Sequence, residues 1–342
     1  MTSAPTLSSR LPGTMLAVRL HAWSEQPVIE DIPVPAPALG ETLVRMRAAA
    51  VAHVDRSIAS GTFAQPPPLP HIGGVEGVGD VVCSDALEVG TRVLVRGAGV
   101  GLARPGCWSE YAVVPDRALT PVPADLNAPL AAAFFVPCTT AFVAVNDVGK
   151  LSAGEHVIVI GAAGSVGSLI AQTAIRAGAG QVTGVILREA DAPLVPIGAD
   201  VTILPSVAER REFASTTRAD LLIDTLGGPG LSDLLAAVKP GGRAVLIGYV
   251  TGEELTVSLP QWLLSEVSLL PVNMMRRERR ARELAPSLAA SVADGTLRVT
   301  VQEFSLQQAG EALDRLVSGS VSGRAVLMFS DVPGSGTDRQ SA

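Results

Sequence analysis

The chain has 342 residues, 47% hydrophobic and 17% charged, which suffices for buried cores in about two domains of ~150 residues and excludes disorder over most of its length. Its net charge of -7 excludes nucleic acid as a partner, because a phosphate-binding surface needs an excess of Lys and Arg. Of the uncharged stretches, 157–175 is broken by Gly161, Gly164 and Gly167, and 126–146 by Pro129 and Pro137, so neither reads as a membrane span.

Residues 1–13 carry Ser, Pro and Thr without periodicity and read as a flexible tail. Arg10, Pro12 and Gly13 fall where a secretory signal would place its apolar core, so the chain is expected in the cytoplasm. From 14 to 136, short β-rich runs at 15–20, 41–51, 79–83 and 91–95 are split by Pro-rich turns at 33–37 and 66–70, the pattern of a partly open β-barrel. Over 137–272 strands and helices alternate. A helix is expected at 139–148, a strand at 156–160, a helix at 165–177, strands at 182–186 and 221–224, a helix at 231–238 and a strand at 242–247. Such alternation requires right-handed crossovers and gives an α/β, doubly wound parallel sheet. After residue 272 an Arg-rich helix opens with Arg276, Arg277, Arg279, Arg280 and Arg282. It is a solvated face by default, with contact to a carrier-protein or coenzyme A phosphate as the sharper alternative. A strand at 299–304, a helix at 306–317 and a strand at 325–329 follow, and 273–330 is assigned back to the first domain. Residues 331–342 read as a second flexible tail. Cys83, Cys107 and Cys138 lie far apart without C-x-x-C spacing, so neither a disulfide framework nor a structural zinc site is expected.

The strongest local signal is His156-Val-Ile-Val-Ile-Gly-Ala-Ala-Gly-Ser-Val-Gly167, an apolar strand running into a Gly-rich turn and a helix. Gly164 lets the backbone approach a pyrophosphate, Gly167 lets the helix lie close to the strand, and the helix start supplies free N–H groups and a positive dipole end. Ala162 stands where the G-x-G-x-x-G pattern has its first glycine. With a second strand ending near Ile186, the segment reads as a dinucleotide site formed by Gly161, Ala162, Ala163, Gly164, Ser165, Val166 and Gly167. Two further stretches, 224–228 and 239–248, put glycines at the carboxyl ends of strands, where ligands bind in an open parallel sheet. They add Leu226, Gly248 and Tyr249 as cofactor contacts. NAD-specific sites place an Asp or Glu ~20 residues after the glycines to hold the ribose 2′-hydroxyl. Here that place is Ile186, and Arg188 two residues later offers a guanidinium suited to a 2′-phosphate, so the expected cofactor is NADP. Glu189 in the same loop is positioned either to pair with Arg188 or to take the ribose itself.

Several separated motifs fall in order along the chain: Met15-Leu-Ala-Val, Gly73-Gly-Val-Glu-Gly-Val-Gly79, Glu110-Tyr-Ala-Val-Val-Pro115, Thr140-Ala-Phe142, the run from Leu151 to Gly167, and Gly319-Ser-Val-Ser-Gly-Arg-Ala-Val-Leu327. On these the chain resembles the medium-chain dehydrogenase/reductase superfamily and, within it, the zinc-independent quinone oxidoreductases and 2-enoyl reductases. The resemblance implies a GroES-like, partly open β-barrel catalytic domain, split in sequence over 14–136 and 273–330, around a Rossmann doubly wound sheet at 137–272. It also implies an active site in the cleft between domains, a small-molecule substrate, a homodimer through the Rossmann edge strands, and Thr140 on the nicotinamide side of the cofactor. The places where zinc-dependent relatives carry metal donors fall on Ala52, Val75 and Val136. None of these can ligate, and Glu76 alone cannot hold the ion, so no metal is expected.

Without zinc, hydride transfer must rely on placing the acceptor over the nicotinamide and on hydrogen bonds to its oxygen. That suits a quinone or the C=C bond of an α,β-unsaturated carbonyl. Quinone reductases usually read Asn-x-x-Asp with tyrosines following. Here Ala52-His-Val-Asp-Arg-Ser-Ile-Ala-Ser-Gly-Thr-Phe63 puts Ala52 in place of the Asn, with Ser57 and Phe63 at the tyrosine positions. His53 and Ser57 are therefore the candidate catalytic residues. His53 either donates to the acceptor oxygen or is a neutral histidine hydrogen-bonded within the barrel; Asp55 braces the loop in preference to acting as a base. The expected activity is that of an NADPH-dependent, zinc-independent reductase in a specialised biosynthetic pathway. The rival is a protein that keeps the fold and the nucleotide but is not a reductase, either a scaffold or a non-redox enzyme.

Overall fold

The computed structural model describes residues 11–330; the tails expected at 1–13 and 331–342 lie outside them except for residues 11–13. Leu11 is partly buried against Met15, Leu43 and Tyr111, and the Gly13 carbonyl accepts the Val34 N–H at 3.3 Å. Order therefore begins before residue 14. The described chain forms two compact units, one reaching to Ala133 and resuming at Val301, the other running from Phe134 to Thr300.

The first unit contains β1 (Thr14–Leu20), β2 (Val28–Pro33), β3 (Glu41–Val51), α1 (His53–Ala59), β4 (His71–Ile72), β5 (Glu76–Cys83), β6 (Arg92–Arg96), β7 (Tyr111–Pro115), β8 (Leu119–Pro121) and α2 (Ala128–Ala133). The second contains α3 (Phe135–Phe142), β9 (His156–Ile160), α4 (Ser165–Arg176), β10 (Gln181–Ile186), β11 (Asp200–Ile203), α5 (Val207–Thr216), β12 (Ala219–Asp224), α6 (Pro229–Leu234), β13 (Val238–Leu246), α7 (Leu259–Ser265), β14 (Ser268–Pro271) and α8 (Glu278–Ala293). The chain then returns to the first unit for β15 (Val301–Ser305), α9 (Ala309–Val317) and β16 (Arg324–Met328).

In the first unit β3 is the organising strand. It pairs antiparallel with β5, β7 and β16, within a sheet ordered β15-β16-β3-β5-β6-β8, while β2-β1-β4 form a smaller sheet. Ala48, Ala49, Ala50 and Val51 are fully buried, which explains why the second half of this strand is apolar without alternation: both of its faces are covered there. Trp108 is buried beside it and donates its Nε1–H to the Ala50 carbonyl at 3.1 Å, so its role is in the core.

In the second unit six parallel strands run in the order β11-β10-β9-β12-β13-β14. The order reverses between β9 and β12, and the crevice at the carboxyl ends of these strands is where an open α/β sheet binds ligands. The segment 273–300, expected in the first domain, belongs here. α8 buries Ala281, Leu284, Ala285, Leu288, Ala289 and Val292, a stripe at helical spacing, and lies against α3. Arg280 bonds the Asp147 carboxylate at 3.0 Å and sits 5.5 Å over the Phe142 ring, so one arginine of the basic run is spent on this contact. Residues 134–136 also join the second unit, because α3 starts at Phe135 rather than at 139.

Candidate functional site

The turn after β9 is shaped by what its glycines exclude. Gly161 has φ +80, and a Cβ there would stand 2.4 Å from Thr225 Oγ1; a Cβ on Gly167 would stand 2.0 Å from the Gly161 carbonyl oxygen. Both positions are closed by the protein itself. Gly164 differs: its φ is -74, and a Cβ would meet only the Gly161 oxygen at 3.3 Å. The backbone is unstrained and only this one tight contact stands against a side chain there, so the missing side chain keeps open the approach to the start of α4. Ser165, Val166 and Gly167 begin that helix, where backbone N–H groups have no intrahelical acceptor. The Ser165 Oγ is buried without a hydrogen-bond partner among the described residues. An orphaned hydroxyl, an open backbone and a helix N-terminus together fit an anionic group such as a pyrophosphate.

Ala162 is fully buried, and the glycine its methyl displaces is compensated in the neighbouring strand. A Cβ on Gly184 of β10 would come within 3.0 Å of Ala162 Cβ and 2.9 Å of Val195 Cγ1, so Gly184 makes room for Ala162. A lone glycine inside a strand signals such a close approach, yet the sequence reading passed over it. The turn is also tied to β10 directly, since the Gly161 and Ala162 N–H groups both donate to the Val185 carbonyl, at 3.0 and 3.3 Å.

The other strand ends complete this edge. Asp224 closes β12, buried, its carboxylate accepting the N–H groups of Leu226 at 3.1 Å and Gly227 at 2.8 Å; burial raises its pKa to about 6 against these bonds. The carboxylate thereby fixes the turn that presents Leu226. After β13, a Cβ on Gly248 would stand 2.0 Å from the Thr225 carbonyl oxygen, so Gly161, Thr225 and Gly248 interlock. Tyr249 is 65% exposed. On α3, Thr140 is 3% exposed. Arg188 follows β10 and is 56% exposed along its side chain. Its Nε and Nη2 donate to Asp191 at 2.8 and 2.9 Å; of the two alternatives left for Glu189, pairing with Arg188 or taking the ribose, the first is met here by Asp191.

In the first unit, α1 starts without a hydroxyl cap, and Asp55 does the capping. Its carboxylate accepts the Ala52 N–H at 2.8 Å and, from the next loop, those of Gly74 at 3.1 Å and Val75 at 3.3 Å. Burial raises its pKa to about 6. Three backbone donors occupy this carboxylate, which makes it a brace. His53 is the first residue of α1 and is exposed, and its ring has no hydrogen-bond partner among the described residues. Desolvation by the crowded surroundings, then the Arg324 and Arg56 charges, hold its pKa below the ordinary histidine value. Ser57 donates to the His53 carbonyl one turn back at 3.2 Å, so its hydroxyl proton is already engaged.

The pairing of Ala325 with Val51 brings Arg324 beside the chain that leads into His53, and Arg324 Nη2 meets the fully buried Glu76 at 3.0 Å. This ion pair joins residues 248 apart in sequence and was not legible there. Ala52 and Val75 are buried hydrocarbon side chains, Val136 has no donor either, and Glu76 is committed to Arg324. These positions do not fit a zinc ion. Among the described residues no group of three or more His, Cys, Asp or Glu is arranged to hold a metal.

Residues 38–124 match the family model described as the alcohol dehydrogenase GroES-like domain, and residues 197–327 the one described as zinc-binding dehydrogenase. Prostaglandin reductase-3 of Bos taurus is 30% identical over 252 residues, 72% of this chain but only 64% of that relative's own length. Quinone oxidoreductase of Homo sapiens is 26% identical over 331 residues, covering 92% of this chain and 98% of its own. Among solved structures, AibC matches with a TM-score of 0.82 at 25% identity, over 97% of this chain and 99% of that one.

Proposed function

Because this chain belongs to the medium-chain dehydrogenase/reductase superfamily, we propose that it is an NADPH-dependent oxidoreductase passing hydride to a quinone or to the C=C bond of an α,β-unsaturated carbonyl, without zinc. The observation that carries the reading is the turn at 161–167, open at Gly164 and with an unpartnered Ser165 Oγ, at the strand-order reversal. When bound there, the nicotinamide cofactor supplies the hydride. The chain's part is to bind and to polarise. The start of α4 holds the pyrophosphate, Leu226, Gly248 and Tyr249 border the dinucleotide, and the Thr140 hydroxyl meets its nicotinamide side. Arg188 receives the 2′-phosphate.

With a conjugated carbonyl as acceptor, the bound cofactor would supply hydride to the β-carbon, the charge developing on the oxygen would be met by a hydrogen bond from the chain, and water would supply the proton. A neutral His53 imidazole is able to donate to that oxygen. Ala52 and Ser57 offer less polar contact than the Asn and Tyr of quinone reductases, which supports a specialised, biosynthetic acceptor. The hydrocarbon side chains at 52, 75 and 136 support a zinc-free reaction, checked by metal analysis of the active enzyme.

We further propose a homodimer through β14, the edge strand of the sheet, beside which α7 exposes Leu263 and Leu264 by 72% and 83%. A cytosolic placement accords with three free cysteines; no helix among the described residues is long and apolar enough to cross a membrane. The test of function is NADPH oxidation with 9,10-phenanthrenequinone and with a simple enone. Consumption with either supports a reductase, whereas tight NADPH binding with consumption of neither refutes it.

A further inference from the structure

Two segments close the carboxyl edge of the sheet beside the phosphate turn, 225–228 after β12 and 248–252 after β13, and they touch along their backbones. A Cβ on Gly227 would stand 2.7 Å from the Gly248 carbonyl oxygen, and one on Gly228 2.9 Å from that of Thr251. Thr251 adds hydrogen bonds to this contact. Its N–H donates to the Leu226 carbonyl at 2.9 Å, and its hydroxyl to the Gly227 carbonyl at 2.8 Å. From the strand side, the Asp224 carboxylate takes the N–H groups of the same two residues. Leu226 and Gly227 thus have each N–H and each carbonyl engaged by the protein itself, which leaves the turn one position.

That turn in turn bears on the phosphate turn. Thr225 donates its N–H at 3.3 Å and its hydroxyl at 2.8 Å to the carbonyl of Ile160, the residue before Gly161. Leu226 is half-buried against the core of this unit, and a Cβ on Gly161 would stand 3.0 and 3.1 Å from its Cγ and Cδ2. Leu226 therefore fills the space over Gly161, whose φ of +80 sets the direction in which the chain leaves β9 for the start of α4. Contacts this tight pass a displacement from one turn to the other. Thr251, at the far end of the connection, is itself exposed.

We infer that Thr251 is a positioning residue for the dinucleotide: its hydroxyl, acting with Asp224 across the 226–227 turn, holds Leu226 over Gly161 and keeps the phosphate turn in its binding shape before a cofactor arrives. This deepens the reading of the nucleotide site above and rests on it. Preorganisation lowers the ordering cost that binding must meet. Because it acts where the pyrophosphate binds, which both cofactors share, it serves NADPH and NADH alike.

The test titrates NADPH and NADH into wild type, Thr251→Val, Thr251→Ser, Leu226→Ala and the variant carrying both Thr251→Val and Leu226→Ala, and follows amide hydrogen exchange without cofactor. Val keeps the shape of Thr and removes only the hydroxyl, at an exposed position where the fold tolerates the change. Thr251→Val is expected to weaken both dinucleotides by about 3- to 10-fold, Thr251→Ser to restore most of the loss, and the loss to shrink once Leu226 is alanine. Exchange in the free Thr251→Val protein is expected to quicken at 161–167 as well as at 225–228. Unchanged affinity, a loss that Ser fails to restore, a loss of full size in the Leu226→Ala background, or exchange quickened at 225–228 alone overturns the proposal. Failure of the nucleotide reading itself looks different: wild type then binds neither dinucleotide, while the exchange effect of Thr251→Val still reaches 161–167.

Discussion

Asp55 and His53 lie on the same turn of α1 and have opposite characters. Asp55 is buried under three backbone donors. A carboxyl whose folded pKa, about 6, exceeds its unfolded value of ~3.9 favours the fold while protonated. That contribution is present below the unfolded value and is lost as pH rises through the folded one. Asp55→Asn removes the titration and turns an amide donor toward a backbone N–H, at a cost of about 1–3 kcal/mol. The stability gap between wild type and Asp55→Asn, read by chemical denaturation, is therefore expected to be larger near pH ~4.5 than near pH ~7.5; a gap independent of pH contradicts this. His53 has nothing to brace. On the proposed role as a neutral donor to the acceptor oxygen, His53→Ala is expected to lose ~10²-fold in kcat while cofactor affinity holds. Unchanged turnover would leave it an ordinary helix-start residue.

At the scale of elements, the glycine turn separates two kinds of glycine that a sequence pattern treats alike. Gly167→Ala drives a methyl into the Gly161 oxygen at 2.0 Å, an overpacking expected to cost at least about 1–3 kcal/mol, visible as a lowered Tm. Gly164→Ala meets only a 3.3 Å contact. Its Tm should stay close to wild type while dinucleotide affinity falls ~10-fold or more, because the methyl occupies the approach of the pyrophosphate. A stable Gly167→Ala, or a Gly164→Ala that binds normally, would show that the turn is read wrongly. Strong local patterns explain which elements were legible. β9 and α4 combine a buried apolar run, a Gly turn and a helical stripe. β11 and β14 are short edge strands of four residues without alternation, so periodicity has nothing to register. α5 was missed although Ser206 and Glu209 form a reciprocal capping box, a signal that is present in the residues themselves.

For the whole molecule, the proposed dimer is tested by replacing Leu263 and Leu264 with Lys, which should convert a dimer to a monomer in light scattering with the fold retained; a monomeric wild type would refute it. Much of the architecture was determined by the sequence alone. The alternation of strand and helix requires a parallel sheet with crossovers, the glycine spacing places a dinucleotide turn, and Ala52, Val75 and Val136 lack metal donors whatever surrounds them. These are properties of neighbouring residues or of single side chains. What only the tertiary structure decided is partnership across distance: Arg324 with Glu76, Asp55 with Gly74 and Val75, Gly184 with Ala162, and α8 with α3 rather than with the first unit. Even three residues away, the pairing of Arg188 with Asp191 is made across the 3₁₀ turn and not by neighbours in sequence. No period along the chain encodes such choices; they depend on which backbones the folded sheet brings face to face.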